Sequence, residues 1–298
     1  MPTPSPASDR WQLLTSALTP TRTPRVLDIG ANPLSNPPYK PLLDAGLIDV
    51  CGFEPQADAF AELEAAKGPR ETYFPHAVGD GGTHTLHVYR QSGLTSLFKA
   101  DMETVAYMDR NPGGVTLLDE VSVATKRLDD IADLPKPDLL KIDVQGAEPM
   151  IFDNGPDKLS DVLAVVTEVR FFPLYHDDPL MDAQMVALRK LGLHLHKFLF
   201  TKRQWVANSG KARLNGRKAR SQLLDGDAVF IRDLRQPEAL SDDQLAHLAL
   251  LADGVFQSFD LVIHCLDLLV ARGAPADLPD RYIALLPPEV LSPEVLSQ

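Results

Sequence analysis

The stretch Val26-Leu27-Asp28-Ile29-Gly30-Ala31-Asn32, read together with Gly52-Phe53-Glu54-Pro55, decides the fold. An apolar strand runs into an acidic residue, a glycine and a loop, and the next apolar run ends in a second carboxylate. In an open α/β sheet this pairing grips a nucleoside. Glycine lets the chain turn sharply and approach a ligand without a Cβ in the way, and a carboxylate ending the neighbouring strand accepts from both ribose hydroxyls. Asp28 either orders the turn or meets an amino group of the bound molecule, Glu54 takes the ribose, and Asn32 and Pro55 are read as further cofactor-binding loop positions. A dinucleotide site wants G-x-G-x-x-G, with a helix N-terminus to receive pyrophosphate. Here Ala31, Asn32, Pro33, Leu34 and Ser35 follow Gly30, which argues against a nicotinamide oxidoreductase or epimerase.

Outward from this stretch, short apolar runs at 26–29, 50–53, 72–78, 139–144 and 163–169 alternate with helix-compatible or loop segments. Near-continuous hydrophobicity is what strands buried on both faces of a parallel sheet require. Runs at 193–200 and 228–231 have no helix pattern between them and read as an antiparallel pair. The expectation is an α/β fold with a doubly wound, mostly parallel seven-stranded sheet. Ligands of such sheets bind at the carboxyl edge of the strands.

Two further segments lie at that edge. In His76-Ala77-Val78-Gly79-Asp80-Gly81-Gly82, ending the third strand, Ala77 and Val78 are placed to flank an adenine and Asp80 to accept from its exocyclic amine. The alternative is a plain turn before the strand at 85–89. In Lys141-Ile142-Asp143-Val144-Gln145-Gly146-Ala147-Glu148, Asp143 falls at the strand end and Gly146 turns the chain into a helix opening at Ala147-Glu148.

Composition sets the outer limits. The 298 residues are 44% hydrophobic, enough for one large core with a small appendage. A formal charge of −12 disfavours a nucleic-acid partner, because phosphate contacts need a basic surface. Cys51 and Cys265 stand far apart without metal-ligand spacing and read as buried thiols in a reducing, cytoplasmic setting. The N-terminus lacks an export signal, and no run approaches the roughly 20 apolar residues of a membrane span.

The ordered set Val26 to Asn32, Phe53-Glu54-Pro55, Ala77-Val78-Gly79-Asp80, Gly93-Leu94-Thr95-Ser96-Leu97, Leu128-Asp129-Asp130-Ile131 and Lys141 to Glu148 resembles the FkbM family of S-adenosylmethionine-dependent methyltransferases over about residues 24–232. The resemblance implies the class I, Rossmann-like methyltransferase fold, S-adenosylmethionine as cofactor, and methyl transfer to a hydroxyl on a sugar, glycan or polyketide-type natural product. The chain departs from the family pattern at Gln145, where glutamate is common, and in the proline-rich loop after Asn32. A non-catalytic binding module on the same fold is the rival reading, encouraged by Gln145 and by the appended helices.

Methyl transfer is an in-line displacement that asks for alignment and, with a hydroxyl acceptor, removal of a proton. Asp143 is the candidate base or orienting carboxylate. Lys141 shares its strand face and either lowers the Asp143 pKa or simply pairs at the strand end. Glu148 is a second acidic candidate or a helix N-terminal charge, and Glu168 and His176 are placed to face the acceptor from the fifth strand and its following loop. No metal site is expected, since Asp143, Glu148 and Glu168 lack ligand spacing. Seven basic residues and no acidic one between Lys202 and Arg220 suggest an anionic acceptor, with Trp205 offering a stacking face, and 92–121 is read as a lid.

The sequence divides into an N-terminal tail and helix (1–23, the helix from Arg10), the methyltransferase-like domain (24–235) and a helical extension (236–298). The extension opens at Ser241 with a capping box completed by Gln244, runs helically to about Arg272 and ends in a proline-rich tail. It is expected to cover a sheet edge or to make a homodimer contact.

Overall fold

The computed structural model describes residues 6–33 and 36–293. The expectations for Met1 to Ser5 and for Leu34 and Ser35 fall outside them. Among the described residues ten strands are present: β1 (Arg25–Ile29), β2 (Asp49–Phe53), β3 (Glu71–Phe74), β4 (Ala77–Val78), β5 (Thr83–Tyr89), β6 (Leu117–Lys126), β7 (Leu139–Ile142), β8 (Ala164–Arg170), β9 (Leu193–Gln204) and β10 (Gln222–Arg232). Seven form one sheet in the order β3-β2-β1-β7-β8-β10-β9, the expected doubly wound α/β plan. β7 is parallel to β1 and β8, whereas β10 runs antiparallel to both β8 and β9. The strand order reverses between β1 and β7, which opens the crevice where such sheets bind ligands.

The central strands are apolar because both faces are covered: Leu139, Leu140, Val165 and Val229 are fully buried. Their core continues through Leu27, Phe53, Ile142, Ile151 and Phe152. Crossover helices at Ala57–Ala66, Glu148–Asp153 and Met181–Lys190 connect consecutive parallel strands or return the chain to the edge.

The run at 72–78 is two strands rather than one. Pro75 lacks the N–H a ladder needs, so β3 ends at Phe74 and β4 pairs instead with Thr125 and Lys126 of β6. The three-stranded sheet β4-β6-β5 therefore carries Ala77 and Val78. Segment 92–121 is no open flap: Leu94, Val105, Met108 and Val115 form a second core with Tyr89, Leu174 and Tyr175.

By contact density the chain forms two compact units, one from the described parts of 1–25, 35–50 and 233–298, the other from 26–34 and 51–232. In the first, the capping box at Ser241 is made as expected, with Ser241 Oγ accepting from Gln244 N–H and Gln244 Oε1 from Ser241 N–H. The initial helix starts at Pro6 rather than Arg10, and the tail, expected to be irregular, holds a further helix, Leu278–Ile283. That helix forms because Pro279 sits in its first turn, where a missing N–H costs nothing, and it seats the fully buried Tyr282. Asp253 is the polar hub of this unit, accepting from Arg10 Nε (2.7 Å), Trp11 Nε1 (2.6 Å) and Tyr282 Oη (2.5 Å). No helix among the described residues is long and apolar enough to cross a membrane.

Candidate active site

Adjacent parallel strands in register bring their carboxyl ends to one edge. Asp28 lies opposite Lys141, and Glu168 lies opposite Asp227 on the antiparallel neighbour. Lys141 Nζ stands 3.1 Å from Asp28 Oδ1, both side chains largely buried. Burial alone would lower the Lys141 pKa, but the fields of Asp28 and Asp143 outweigh it and raise it. Lys141 thus pairs across strands with Asp28, which is buried at the end of β1.

Gly30 has φ +85°, and a Cβ there would sit 2.3 Å from the Asp143 carbonyl oxygen. The atom that requires glycine is therefore the chain's own β7 loop, which Asp143 N–H binds to the Ile29 carbonyl at 3.1 Å. Glu54, at the end of β2, is buried, and burial raises its pKa. Its Oε1 accepts from Gln56 N–H at 2.8 Å, and Oε2 has no protein donor among the described residues.

The loop after β7 is held by its own side chains. Glu148, 1% exposed, accepts from Val144 N–H (2.9 Å) and Gly146 N–H (3.0 Å), and burial pushes its carboxyl up to about 7. The hydrogen bonds permit Gln145 at φ +57° and Gly146 at φ +112°. Gln145 then reaches inward: its Nε2 donates to Asp143 Oδ1 (2.8 Å) and Glu168 Oε2 (2.7 Å), and its Oε1 accepts from Tyr175 Oη (3.0 Å) and Arg170 Nη2 (3.2 Å). Ser96 Oγ donates to the Gln145 carbonyl at 2.6 Å.

Arg170 Nη2 also donates to Glu168 Oε2 at 2.8 Å, and its Nε lies 3.0 Å from Asp178 Oδ2 as an ion pair bent outside hydrogen-bond geometry. Carboxylates outnumber the cations Lys141 and Arg170 here. Burial first, and then Asp143 and other acidic neighbours, hold Glu168 well above the usual carboxylate range and push Asp227 up to about 6. Asp143 itself is exposed, one oxygen tied to Gln145.

Asp28, Gly30, Lys141, Asp143, Glu148 and Glu168 are thus brought to one edge, with Glu54 near enough to Asp28 to feel its charge. Asn32 and Pro55 are exposed on the flanking loops. His176 is also exposed, its backbone N–H on the Lys99 carbonyl and its ring near enough to Asp101 to act on that carboxylate. Asp80 is occupied within its turn by His84 Nε2 (2.7 Å) and Gly82 N–H (2.8 Å), the turn alternative. Trp205 is buried, with Arg220 5.8 Å over its ring, so it offers no open stacking face. Among the described residues no group of three or more His, Cys, Asp or Glu is arranged to hold a metal ion.

Arg170, Tyr175, Asp178 and Asp227 were not singled out by the sequence reading. Arg170 follows Glu168 by two residues on one strand, and Asp225 and Asp227 alternate on another, so period-two spacing was the available signal.

The Methyltransferase FkbM domain family matches residues 28–195, more than half of the chain. No curated protein matches. Among solved structures, the chain is similar to a magnesium protoporphyrin IX methyltransferase of Synechocystis PCC 6803 (12% identity, 76% of this chain and 78% of that one, TM-score 0.35). It is also similar to a precorrin-6y C5,15-methyltransferase of Geobacter metallireducens GS-15 (13%, 75% and 87%, 0.35) and to the N-methyltransferase NodS of Bradyrhizobium japonicum WM9 (9%, 76% and 94%, 0.35). Those likenesses are too distant to say more. The strand order, the Asp28-x-Gly30 turn with Glu54 on the next strand, and the family match over 28–195 agree, and the chain belongs to the FkbM methyltransferase family.

Proposed function

We propose that this protein is an S-adenosylmethionine-dependent methyltransferase acting on a hydroxyl of a small-molecule or glycan acceptor. The observation that carries the reading is Glu54: a buried carboxylate at the end of β2, steadied through Oε1 by Gln56 while Oε2 has no protein donor among the described residues. Those acceptor oxygens fit the two hydroxyls of a ribose, and the turn at Gly30 lacks the pyrophosphate loop a dinucleotide would need. When bound, the cofactor supplies an electrophilic methyl group on a sulfonium.

The chain's own residues then align and deprotonate the acceptor. Asp143, exposed at the edge with Oδ1 fixed by Gln145, is suited to orient an acceptor hydroxyl or take its proton at Oδ2. Gln145 is uncharged and donates to Asp143 and Glu168 together, which lets two carboxylates sit side by side. Glu168, held by Gln145 and Arg170 with its pKa raised, is the second proton-accepting candidate. An anionic character of the acceptor rests on the charge of segment 202–220 alone.

Calorimetry with S-adenosylmethionine tests the cofactor reading. Saturable binding is expected, weakened about tenfold or more in Glu54→Ala because each charge-assisted bond to a hydroxyl is worth about 1.5–3 kcal/mol. Absence of binding by folded protein would overturn it. Transfer of a labelled methyl group to hydroxyl but not to amine acceptors tests the acceptor class.

A further inference from the structure

The β9–β10 hairpin carries, beside its basic residues, exposed apolar side chains that an anionic acceptor does not explain. Its strands keep pairing out to Gln222 and Gln204, past Asp225, the last residue paired with β8. The tip therefore extends beyond the sheet on the carboxyl edge, the edge of Asp143 and Glu168. From Lys202 to Arg220 the tip holds seven basic residues and no acidic one, in a chain of net charge −12.

Three of the seven have internal partners. Lys202 pairs with Asp225 at 3.5 Å, Lys211 pairs with Asp109, and Arg220 lies over Trp205. Arg203, Arg213, Arg217 and Lys218 are exposed and make no ion pair among the described residues. Interleaved with them in the sequence are two exposed apolar side chains, Leu214 at 50% and Val206 at 37%. Tyr107, 42% exposed, joins them, its carbonyl accepting from Ala207 N–H at 2.8 Å.

We propose that this hairpin tip docks the protein on an anionic phospholipid bilayer, with the arginines and Lys218 at the headgroups and Leu214, Val206 and Tyr107 in the interface. Charge complementarity selects an anionic partner. The apolar residues favour the bilayer over a soluble polyanion, since a membrane interface takes up both cationic and apolar side chains. Docking in this way turns the carboxyl edge toward the membrane. The inference stands apart from the methyltransferase reading, because lipid binding needs neither cofactor nor turnover.

Vesicle flotation of the full-length protein tests it, with phosphatidylcholine vesicles with and without about one third phosphatidylglycerol. Flotation with the anionic vesicles only is expected, and 0.5 M salt, roughly, should release the protein. Each headgroup-facing cation is worth about fivefold in partitioning, so the triple variant Arg213→Gln/Arg217→Gln/Lys218→Gln should lose about 100-fold. Leu214→Ser should weaken binding several-fold at unchanged charge. Circular dichroism checks that both variants fold, and the single variant Arg217→Gln, losing about fivefold, serves if the triple does not. No flotation of the wild type overturns the proposal. So does binding indifferent to Leu214→Ser and equally competed by dextran sulfate, which would mark a soluble polyanion site.

Discussion

Replacing Gly30 by alanine separates two physical costs at the heart of the site. Gly30 has φ +85°, where a Cβ crowds the following carbonyl at about 1–2 kcal/mol. The new Cβ would also sit 2.3 Å from the Asp143 carbonyl oxygen. That oxygen cannot simply retreat, because Asp143 N–H is bonded to the Ile29 carbonyl and Gly30 N–H to the Phe53 carbonyl. Relieving such an overlap costs about 1–3 kcal/mol, and the lost freedom of the unfolded chain returns about 0.4–1 kcal/mol. The net expectation is a destabilisation of about 2–4 kcal/mol, read as a lowered midpoint in urea unfolding followed by circular dichroism. Two controls isolate the terms. Gly81→Ala has the same backbone burden, φ +87°, but its nearest neighbour is the flexible Arg127 side chain at 3.4 Å, so after the same unfolded-chain return it should lose only about 1 kcal/mol. Gly93→Ala, with nothing within 4 Å, should change little. If Gly30→Ala proves no more destabilising than Gly81→Ala, the two loops do not approach as described and the reasoning fails.

Other perturbations follow from the buried charges. Asp253→Ala should cost about 3–5 kcal/mol, since it strips the buried Arg10 of its carboxylate and orphans Trp11 and Tyr282 donors; a loss under about 1 kcal/mol in thermal or urea unfolding would contradict the hub. Glu148 is raised to about 7 by burial, so between about pH 4.5 and 7 the folded chain keeps a proton that the unfolded chain has released, and stability should fall as pH rises through that window. Glu148→Gln should flatten that fall by up to about 1.4 kcal/mol per pH unit, and a slope identical to wild type would refute the assignment. Gln145→Glu would aim a third carboxylate at Asp143 and Glu168, so the variant should be markedly less stable than wild type at pH 8 and nearly its equal at pH 5, with urea midpoints as the measure.

Much of the site was legible because its signals are local. A strand ending in Asp28-Ile29-Gly30 and another ending in Glu54 announce themselves by hydrophobicity and spacing, as does the Ser241–Gln244 capping box. The misreadings come where a neighbour distant in sequence decides. The run 72–78 read as one strand, but Pro75 ends β3 at Phe74 and the partner strand β6 determines where Ala77 and Val78 go. Trp205 read as a free aromatic, but it is buried with Arg220 over its ring.

The sequence by itself determined the strand and crossover rhythm, the antiparallel closing pair and the carboxyl-edge positions of Asp28, Glu54 and Asp143, because each follows from periodicity or from a turn only a few residues long, while the family was carried by the resemblance of an ordered set of motifs. Tertiary structure alone decided which distant groups meet: Lys141 with Asp28, and Gln145 with Glu168. Those partnerships depend on strand order and register. Charges far apart in the chain become neighbours only when the sheet closes and water is withdrawn from between them, and that same loss of water gives each pairing its strength.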